Sequence, residues 1–400
     1  MSADAVVSRR SVIAGAAGAA AAGLVGSGLD GAMAASSAVA PPTGTKPLWV
    51  TAYKKGIVFG TAWATWQEGR RFNSLVNREA AILFTQDDLL WYVLKPTPDS
   101  PLDFSYADRL FARAERQGML VFAAHLVWDE GFGEGWTDDD LWGLSERNAR
   151  KLLFGTARAM LRRYRGRVAG WIVANEVTDP EGTKNGIRTN VPWYNTIGPS
   201  YIDRCFEIAQ RHDPKALRVL NEFGFETVNE YGDTAESRRR AFLKALDHLL
   251  GKNVPIQAVG IQGHLLADQF HQRFHEKAYR RFLQEFQDRG LKILITEMDV
   301  LDEGLVKAPK IRDRKVADVY RHYLDVTLDE TAVKVVNCFG LTDRYTWLDE
   351  DNPRSDGAHR RPLLFDQNLK VKPAYFAVSH SFRHAPKRNL LWQLRKRPNY

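Results

Sequence analysis

A chain of 400 residues with 44% hydrophobic, 26% charged and 11% aromatic content has ordinary globular composition, which excludes a disordered chain, a collagen-like repeat and a polytopic membrane protein. The formal charge is +8, yet Arg383, Lys387, Arg388, Arg395, Lys396 and Arg397 all fall in the last 18 residues, where no acid occurs. Residues 386–400 thus read as a basic tail, and the rest lacks the basic excess that a nucleic-acid-binding face needs.

From the N-terminus, Arg9-Arg10 precede a weakly apolar Ala/Gly/Val/Leu run, and small residues continue to Ala40 before Pro41-Pro42. Residues 1–40 read as a twin-arginine-type signal peptide, and Ala32-Met33-Ala34 and Ala38-Val39-Ala40 both fit the small-x-small cleavage rule. The apolar run is shorter than a spanning helix requires. The mature protein is therefore expected to carry no membrane span and to be exported to the periplasm or the medium. Cys205 and Cys338 stand far apart with no metal-ligand spacing around them. Two such cysteines are expected to be buried thiols, not a disulfide scaffold.

Beyond Pro42, short β-branched runs alternate with longer amphipathic stretches. The strand candidates are 57–62, 81–86, 119–128, 168–175, 217–221, 257–264, 292–297 and 334–341, each followed by a helical stretch. Gly118, Gly166, Gly251 and Gly290 stand just before four of the strands, as left-handed helix caps would. Ser105-Tyr106-Ala107-Asp108 has the capping-box pattern. In the helix between Asp233 and Gly251, Phe242, Ala245, Leu246 and Leu249 form an apolar stripe at i, i+3, i+4 and i+7. Arg238, Arg239 and Arg240, near its start, are expected to form a solvated face. Eight strand-helix units without a long linker or a short-period repeat predict an α/β fold, a single (β/α)8 TIM barrel over 43–385. An open doubly wound sheet is the alternative, but Phe59-Gly60-Thr61-Ala62-Trp63 supplies no glycine-rich phosphate loop.

In a barrel the chemistry sits where strands end. Glu176 ends the fourth candidate, Trp171-Ile172-Val173-Ala174-Asn175-Glu176, and Glu297 ends the seventh, Ile293-Leu294-Ile295-Thr296-Glu297. An apolar strand running into a carboxylate is costly unless that carboxylate has a task. Two of them across one barrel mouth are what glycoside hydrolysis needs, one protonated to release the leaving oxygen and one ionised at the anomeric carbon.

Asn175-Glu176, Gln262-Gly263-His264-Leu265, Thr296-Glu297-Met298-Asp299, the run from Gly340 to Trp347, Pro362-Leu363-Leu364-Phe365-Asp366 and Lys372-Pro373-Ala374-Tyr375 occur in the order found in glycoside hydrolase family 10, and the chain resembles that family from about Phe59 to Ala377. The resemblance implies a retaining β-glycanase of the endo-1,4-β-xylanase kind, working by double displacement. It implies Glu176 as acid/base, Glu297 as nucleophile and Asn175 as the contact to the sugar 2-hydroxyl. Gln262 and His264 would support them, with His264 keeping Glu297 ionised and Asp299 fixing the histidine tautomer.

Other positions depart from the family. Where Glu-Asn-Glu-Met-Lys-Trp is usual, this chain reads Gln86-Asp87-Asp88-Leu89-Leu90-Trp91, so that Leu90 replaces the cation. Where His-Thr-Leu-Val-Trp-His is usual it reads Ala124-His125-Leu126-Val127-Trp128-Asp129, which puts Ala124 in the histidine's place and turns His125 away unless a bulge intervenes. Phe339 replaces a tryptophan, whereas Trp347 matches and can stack on a pyranose. Gln86, Asp87, Trp128 and Asn221 complete the candidate substrate-binding set, and Trp63, Trp66, Trp91, Trp136 and Trp193 are further stacking candidates. No metal motif or cofactor fingerprint appears, so no cofactor is expected. The expected partner is a β-linked polysaccharide or oligosaccharide, met by a monomer, with no nucleic acid. Altered recognition groups leave open a different β-glycan or a bacterial exopolysaccharide as substrate, or an inactive carbohydrate-binding barrel.

Overall fold

The computed structural model describes residues 45–67, 69–181, 183–229 and 231–395; the leader expected over 1–40, both of its cleavage motifs, and Lys396 and Arg397 lie outside the described residues. Runs of aliphatic residues buried on both faces form parallel strands. Eight of them build the barrel: β1 (Val58–Trp63), β2 (Ile82–Thr85), β3 (Leu120–Val127), β4 (Gly170–Asn175), β5 (Leu217–Glu222), β6 (Ala258–Ile261), β7 (Lys292–Leu301) and β8 (Val333–Cys338). Consecutive strands pair in parallel, and β8 returns to β1 with Val335 opposite Val58, which closes the ring. With helices between the strands, this is the expected (β/α)8 barrel. Every residue of β1, β2, β4, β5, β6 and β8 is buried.

Strand positions agree with the sequence pattern to within a few residues, except that β7 does not end at Glu297. It continues to Leu301 because a short strand, His264–Leu266, pairs with Asp299–Leu301 and prolongs the ladder past the glutamate. Gly118, Gly166 and Gly290 do adopt left-handed φ angles of 61°, 73° and 73°. Gly251 does not: it is the last residue of the helix Ala235–Gly251, and Asn253 takes the left-handed position at φ 59°, which asparagine tolerates. The capping box is also overturned. Ser105 is already helical, its N–H donates to Asp103 Oδ1 at 2.8 Å, and Asp108 is engaged by Arg163 Nε at 2.9 Å and the Tyr164 hydroxyl at 3.0 Å.

The stripe of Phe242, Ala245, Leu246 and Leu249 is fully buried. The arginines beside it are not a solvated face. Arg238 is wholly buried, with Nη2 donating to Glu222 Oε1 at 2.6 Å, and Arg239 Nε donates to Phe225 O at 2.7 Å. Only Arg240 lies in solvent, paired with Glu236. A carboxylate buried at the end of β5 requires a cation beside it, and helix periodicity alone does not reveal that demand. Cys205 and Cys338 are free and buried. No described helix is long and apolar enough to cross a membrane.

After the last long helix, Pro373–His384, the chain crosses the barrel floor, at the end of the strands opposite Glu176 and Glu297. Arg388 Nη1 donates to Glu330 O at 2.7 Å and Val333 O at 3.0 Å, and its Nη2 donates to Leu328 O at 2.5 Å. Its own N–H reaches Lys55 O, just before β1. One charge of the basic segment is thus a clasp on the first and last strands. Arg388→Ala is expected to lower stability by about 2 kcal/mol, because three carbonyls lose a charged donor. Urea unfolding reads this, and an unchanged midpoint would mean that water replaces the guanidinium at no cost.

Candidate active site

The C-terminal ends of the strands open into a cleft of about 1220 Å³. Glu176 follows β4 directly, with left-handed backbone (φ 54°), and its N–H donates to Asn221 O at 3.1 Å, so the turn that aims it is tied to β5. Its Oε1 accepts from Gln262 Nε2 at 2.7 Å and Asn175 Nδ2 at 3.2 Å, and its Oε2 accepts from Trp128 Nε1 at 3.2 Å. Burial, followed by the carboxylates of Glu130 and Glu222, pushes the Glu176 carboxyl up to about 8 against the Gln262 bond. Glu176 is therefore a protonated acid at neutral pH.

Glu297 meets the opposite surroundings. Its Oε1 accepts from Asn221 Nδ2 at 2.8 Å, and its Oε2 lies 3.4 Å from His264 Nε2. Asn221 Nδ2 also donates to Asn175 Oδ1 at 2.8 Å, while its Oδ1 accepts from Thr296 Oγ1 at 2.7 Å. One amide from β5 therefore ties the residue before Glu176 to Glu297. Gly260 makes room for it: a Cβ there would stand 2.0 Å from Asn221 Oδ1.

His264 Nδ1 lies 2.7 Å from Asp299 Oδ1, and Asp299 Oδ2 accepts from Trp347 Nε1 at 2.8 Å. Burial opposes a charge on the ring, but Asp299 and Glu297 on its two sides outweigh burial and hold His264 well above the ordinary histidine range. Asp299 thus stands at Nδ1, where it was expected to orient the ring, and the Glu297 carboxylate stands off Nε2.

Of the residues expected at the site, Glu176, Glu297, Asn175, Gln262, His264, Trp347, Gln86, Asp87 and Trp128 line the cleft, and Asn221 and Asp299 are fully buried behind it. Gln86 accepts from Gln67 Nε2 at 3.0 Å, and Asp87 accepts from Trp66 Nε1 at 2.5 Å. Beside them burial pushes Asp88 up to about 7. Trp66, 52% exposed, stands on the cleft wall, but Trp63, Trp91, Trp136 and Trp193 are buried in the core and offer no sugar platform. Trp91, Trp136 and Trp193 pack around Phe132 and one another, and Trp63, the last residue of β1, lies under Arg113.

His125 lines the cleft together with Ala124, so the bulge on which its direction was expected to depend is present. The pairing of β3 with β4 shifts register between Ala124 and Val127, and such a bulge re-aims side chains. Burial pushes His125 down to about 4. Leu90, Ala124 and Phe339 also line the cleft.

Three charged groups near the acid were missed in the sequence. Glu130 lies two residues past Trp128. Glu222 repeats, after Asn221, the Asn-Glu pair of Asn175-Glu176, yet it turns inward to Arg238 and to Thr178 Oγ1, at 2.7 Å. Arg188 reaches the site from a hairpin and left no signal in sequence order. Among the described residues no group of three or more His, Cys, Asp or Glu side chains is placed to hold a metal ion.

A family model described as glycosyl hydrolase family 10 matches residues 48–381. Endo-1,4-beta-xylanase B of Thermotoga neapolitana is 29% identical over 339 residues, covering 83% of this chain and 90% of that protein. The beta-1,4-xylanase of Dictyoglomus thermophilum is 26% identical over 318 residues, 77% of this chain and 83% of that protein. Among solved structures, native xylanase 10B from Thermotoga maritima superposes with a TM-score of 0.72 at 27% identity over 84% of this chain and 98% of that one. Xylanase 10B from Thermotoga petrophila in complex with xylobiose superposes with a TM-score of 0.73 at 27% identity, over 86% and 98%.

The two cleft histidines are expected to titrate in opposite directions from the usual value near 6.5. In a proton-detected NMR titration His264 should remain an imidazolium at pH 7, and His125 should stay neutral until pH approaches 4. A neutral His264 at pH 7 would contradict the carboxylate-flanked geometry.

Proposed function

The chain belongs to glycosyl hydrolase family 10, and we propose that within it the protein is an endo-acting hydrolase of β-1,4-linked polysaccharide of the xylan type, working with retention of configuration. Glu176 is the acid/base and Glu297 the nucleophile. The observation that carries this assignment is the contrast between the two carboxyl groups: Glu176 sits among carboxylates and is protonated, whereas Glu297 faces an amide N–H and an imidazolium. A raised, buried carboxyl suits the acid, and a carboxyl that meets an amide donor and an imidazole suits the nucleophile.

In the first step Glu297 attacks the anomeric carbon as the bond to the leaving oxygen breaks, and that oxygen takes the proton of Glu176. Glu176, now a carboxylate, takes a proton from water, whose oxygen attacks the same carbon and releases Glu297. Asn175, held by Asn221, is placed for the 2-hydroxyl of the sugar bound between the carboxyls, a contact that strengthens in an oxocarbenium-like transition state. The His264 imidazolium favours Glu297 as an anion before attack and as a leaving group afterwards. Trp128 and Trp347 supply apolar faces for pyranose rings.

Xylan is the first substrate class to consider because relatives of 29% and 26% identity are named xylanases. A second reading has its own support: Leu90, Ala124 and Phe339 all line the cleft, where the family resemblance leads one to expect a lysine, a histidine and a tryptophan. Fewer polar contacts there favour a different β-glycan, branched or of bacterial origin. Intact partners on both carboxyls argue against a purely binding role. The twin-arginine-type leader supports export of the enzyme to where such polymers lie.

Glu297→Ala is expected to abolish turnover. Glu176→Ala should lose roughly 10²–10⁴-fold on polysaccharide while sparing the first step on aryl glycosides with good leaving groups. A 2-fluoro glycoside should label Glu297 covalently, and its failure with every sugar tried would favour a binding protein. Because Glu176 must be protonated and its carboxyl is raised, kcat/KM should be maintained below pH about 8 and fall as pH rises through it. Product sizing on xylan, mannan, cellulose and bacterial exopolysaccharides separates the two substrate readings.

A further inference from the structure

The polar side chains that follow β2 stand where the family resemblance leads one to expect contacts to sugar. Here they are spent on the chain itself. Gln86, Asp87 and Asp88 meet, in reverse order, the three residues that follow Ala64 beyond β1. Asp88 accepts the Thr65 N–H at 3.2 Å and the Thr65 hydroxyl at 2.9 Å, Asp87 Oδ2 accepts Trp66 Nε1 at 2.5 Å, and Gln86 Oε1 accepts Gln67 Nε2 at 3.0 Å. Gln67 Oε1 accepts the Ala64 N–H at 3.3 Å, which closes the turn. Gln67, Gln86 and Asp88 are buried, so water competes little for these bonds.

The product of this arrangement is an indole held still in the open. Trp66 is 52% exposed on the cleft wall, with Tyr345 against it at 5.8 Å and 83° and Phe72 behind Tyr345 at 4.8 Å. The other two tryptophans that line the cleft, Trp128 and Trp347, are half-buried and donate to Glu176 and Asp299, close to the reacting carboxyls. Trp66 stands apart from them. It follows β1, which β8 separates from β7, so two strand spacings, about 10 Å, lie between the strand of Glu297 and the strand that leads to Trp66. That exceeds the span of one pyranose. A ring left half uncovered forgoes its own burial, but once fixed it offers an apolar plane to a sugar face without an ordering cost on binding.

We propose that Trp66 is a distal stacking subsite for a further pyranose of the glycan chain, and that Gln86, Asp87 and Asp88 are positioning residues for it, acting through the turn Ala64 to Gln67. This rests on the proposed β-glycanase function. The ligand is a β-linked pyranose with an apolar face, and stacking reads that face without requiring one pattern of hydroxyls.

In Glu297→Ala, which removes turnover, calorimetry reads the Kd for xylohexaose and for cellohexaose. Adding Trp66→Ala is expected to weaken the better-bound hexaose about tenfold, the upper end of an aromatic contact, and Trp66→Phe by less. In the active protein Trp66→Ala should raise KM on polysaccharide relative to KM on an aryl monoglycoside, with the loss in KM and not in kcat. Asp87→Ala should weaken hexaose binding alone but add nothing once Trp66 is alanine, because it acts through the indole. Asp87→Asn, which keeps an acceptor for the indole, should recover most of that loss. Unaltered hexaose affinity in folded Trp66→Ala would overturn the inference, and additive losses would overturn the positioning role by showing that Asp87 meets sugar directly. Failure of Glu297→Ala alone to bind either hexaose would instead overturn the xylan-type reading on which the subsite rests.

Discussion

The side-chain amide of Asn221 is the contact on which the site depends. It projects from β5 between strands that carry the two carboxyls, donates to Glu297 and to Asn175, and is itself held by Thr296. Glu176, Asn175 and Glu297 come from β4 and β7, which are not neighbours in the barrel, so their relation depends on the closed ring and on whatever spans it. Gly260 on β6 leaves the space that the amide needs, since any side chain there would strike its oxygen. A backbone position with no chemistry of its own thereby sets how Asn175 and Glu297 are held.

Around that contact the barrel rim separates charge. Buried ions are tolerated when each has a partner, and most here do: Glu222 with Arg238, Asp302 with Arg312, Asp343 with Lys372. Near Glu176, Asp129 and Glu130 both meet Arg188. On the other side of the cleft His264 stands between Asp299 and Glu297 and supplies positive charge. One carboxyl is thus pushed toward its acid form while its partner is offered a cation, within a single cavity and without a metal ligand set among the described residues.

The cleft is less polar where Leu90, Ala124 and Phe339 stand, and it is acidic where Asp87 meets Trp66 and Asp88 meets Thr65. The carboxyls of Glu176 and Glu297 keep close amide partners in Gln262 and Asn221, while the wall at Leu90, Ala124 and Phe339 is apolar. Strand ends packed against one another set the carboxyls, and the apolar wall draws on a strand residue, Ala124, as well as on loop residues such as Leu90.

The barrel, its eight strands and the place of both glutamates at strand ends were legible in the amino-acid order, because strand periodicity and strand-end position are local properties of the chain; the residues expected around the glutamates were those implied by the resemblance to glycoside hydrolase family 10. Boundaries failed where pairing partners decide them, as when His264–Leu266 extends β7 past Glu297. The role of Arg238, the burial of four of the tryptophans and the raised pKa of His264 were not legible, and whether a bulge re-aims His125 was left for the structure to decide. Each depends on groups far apart in sequence. Sequence by itself determined which residue types stand at the mouth of which strand. Only the tertiary structure decided what charge each of them carries, since protonation follows from burial and from neighbours such as Glu130, Arg188 and Asp299, which the closed ring and its loops bring together.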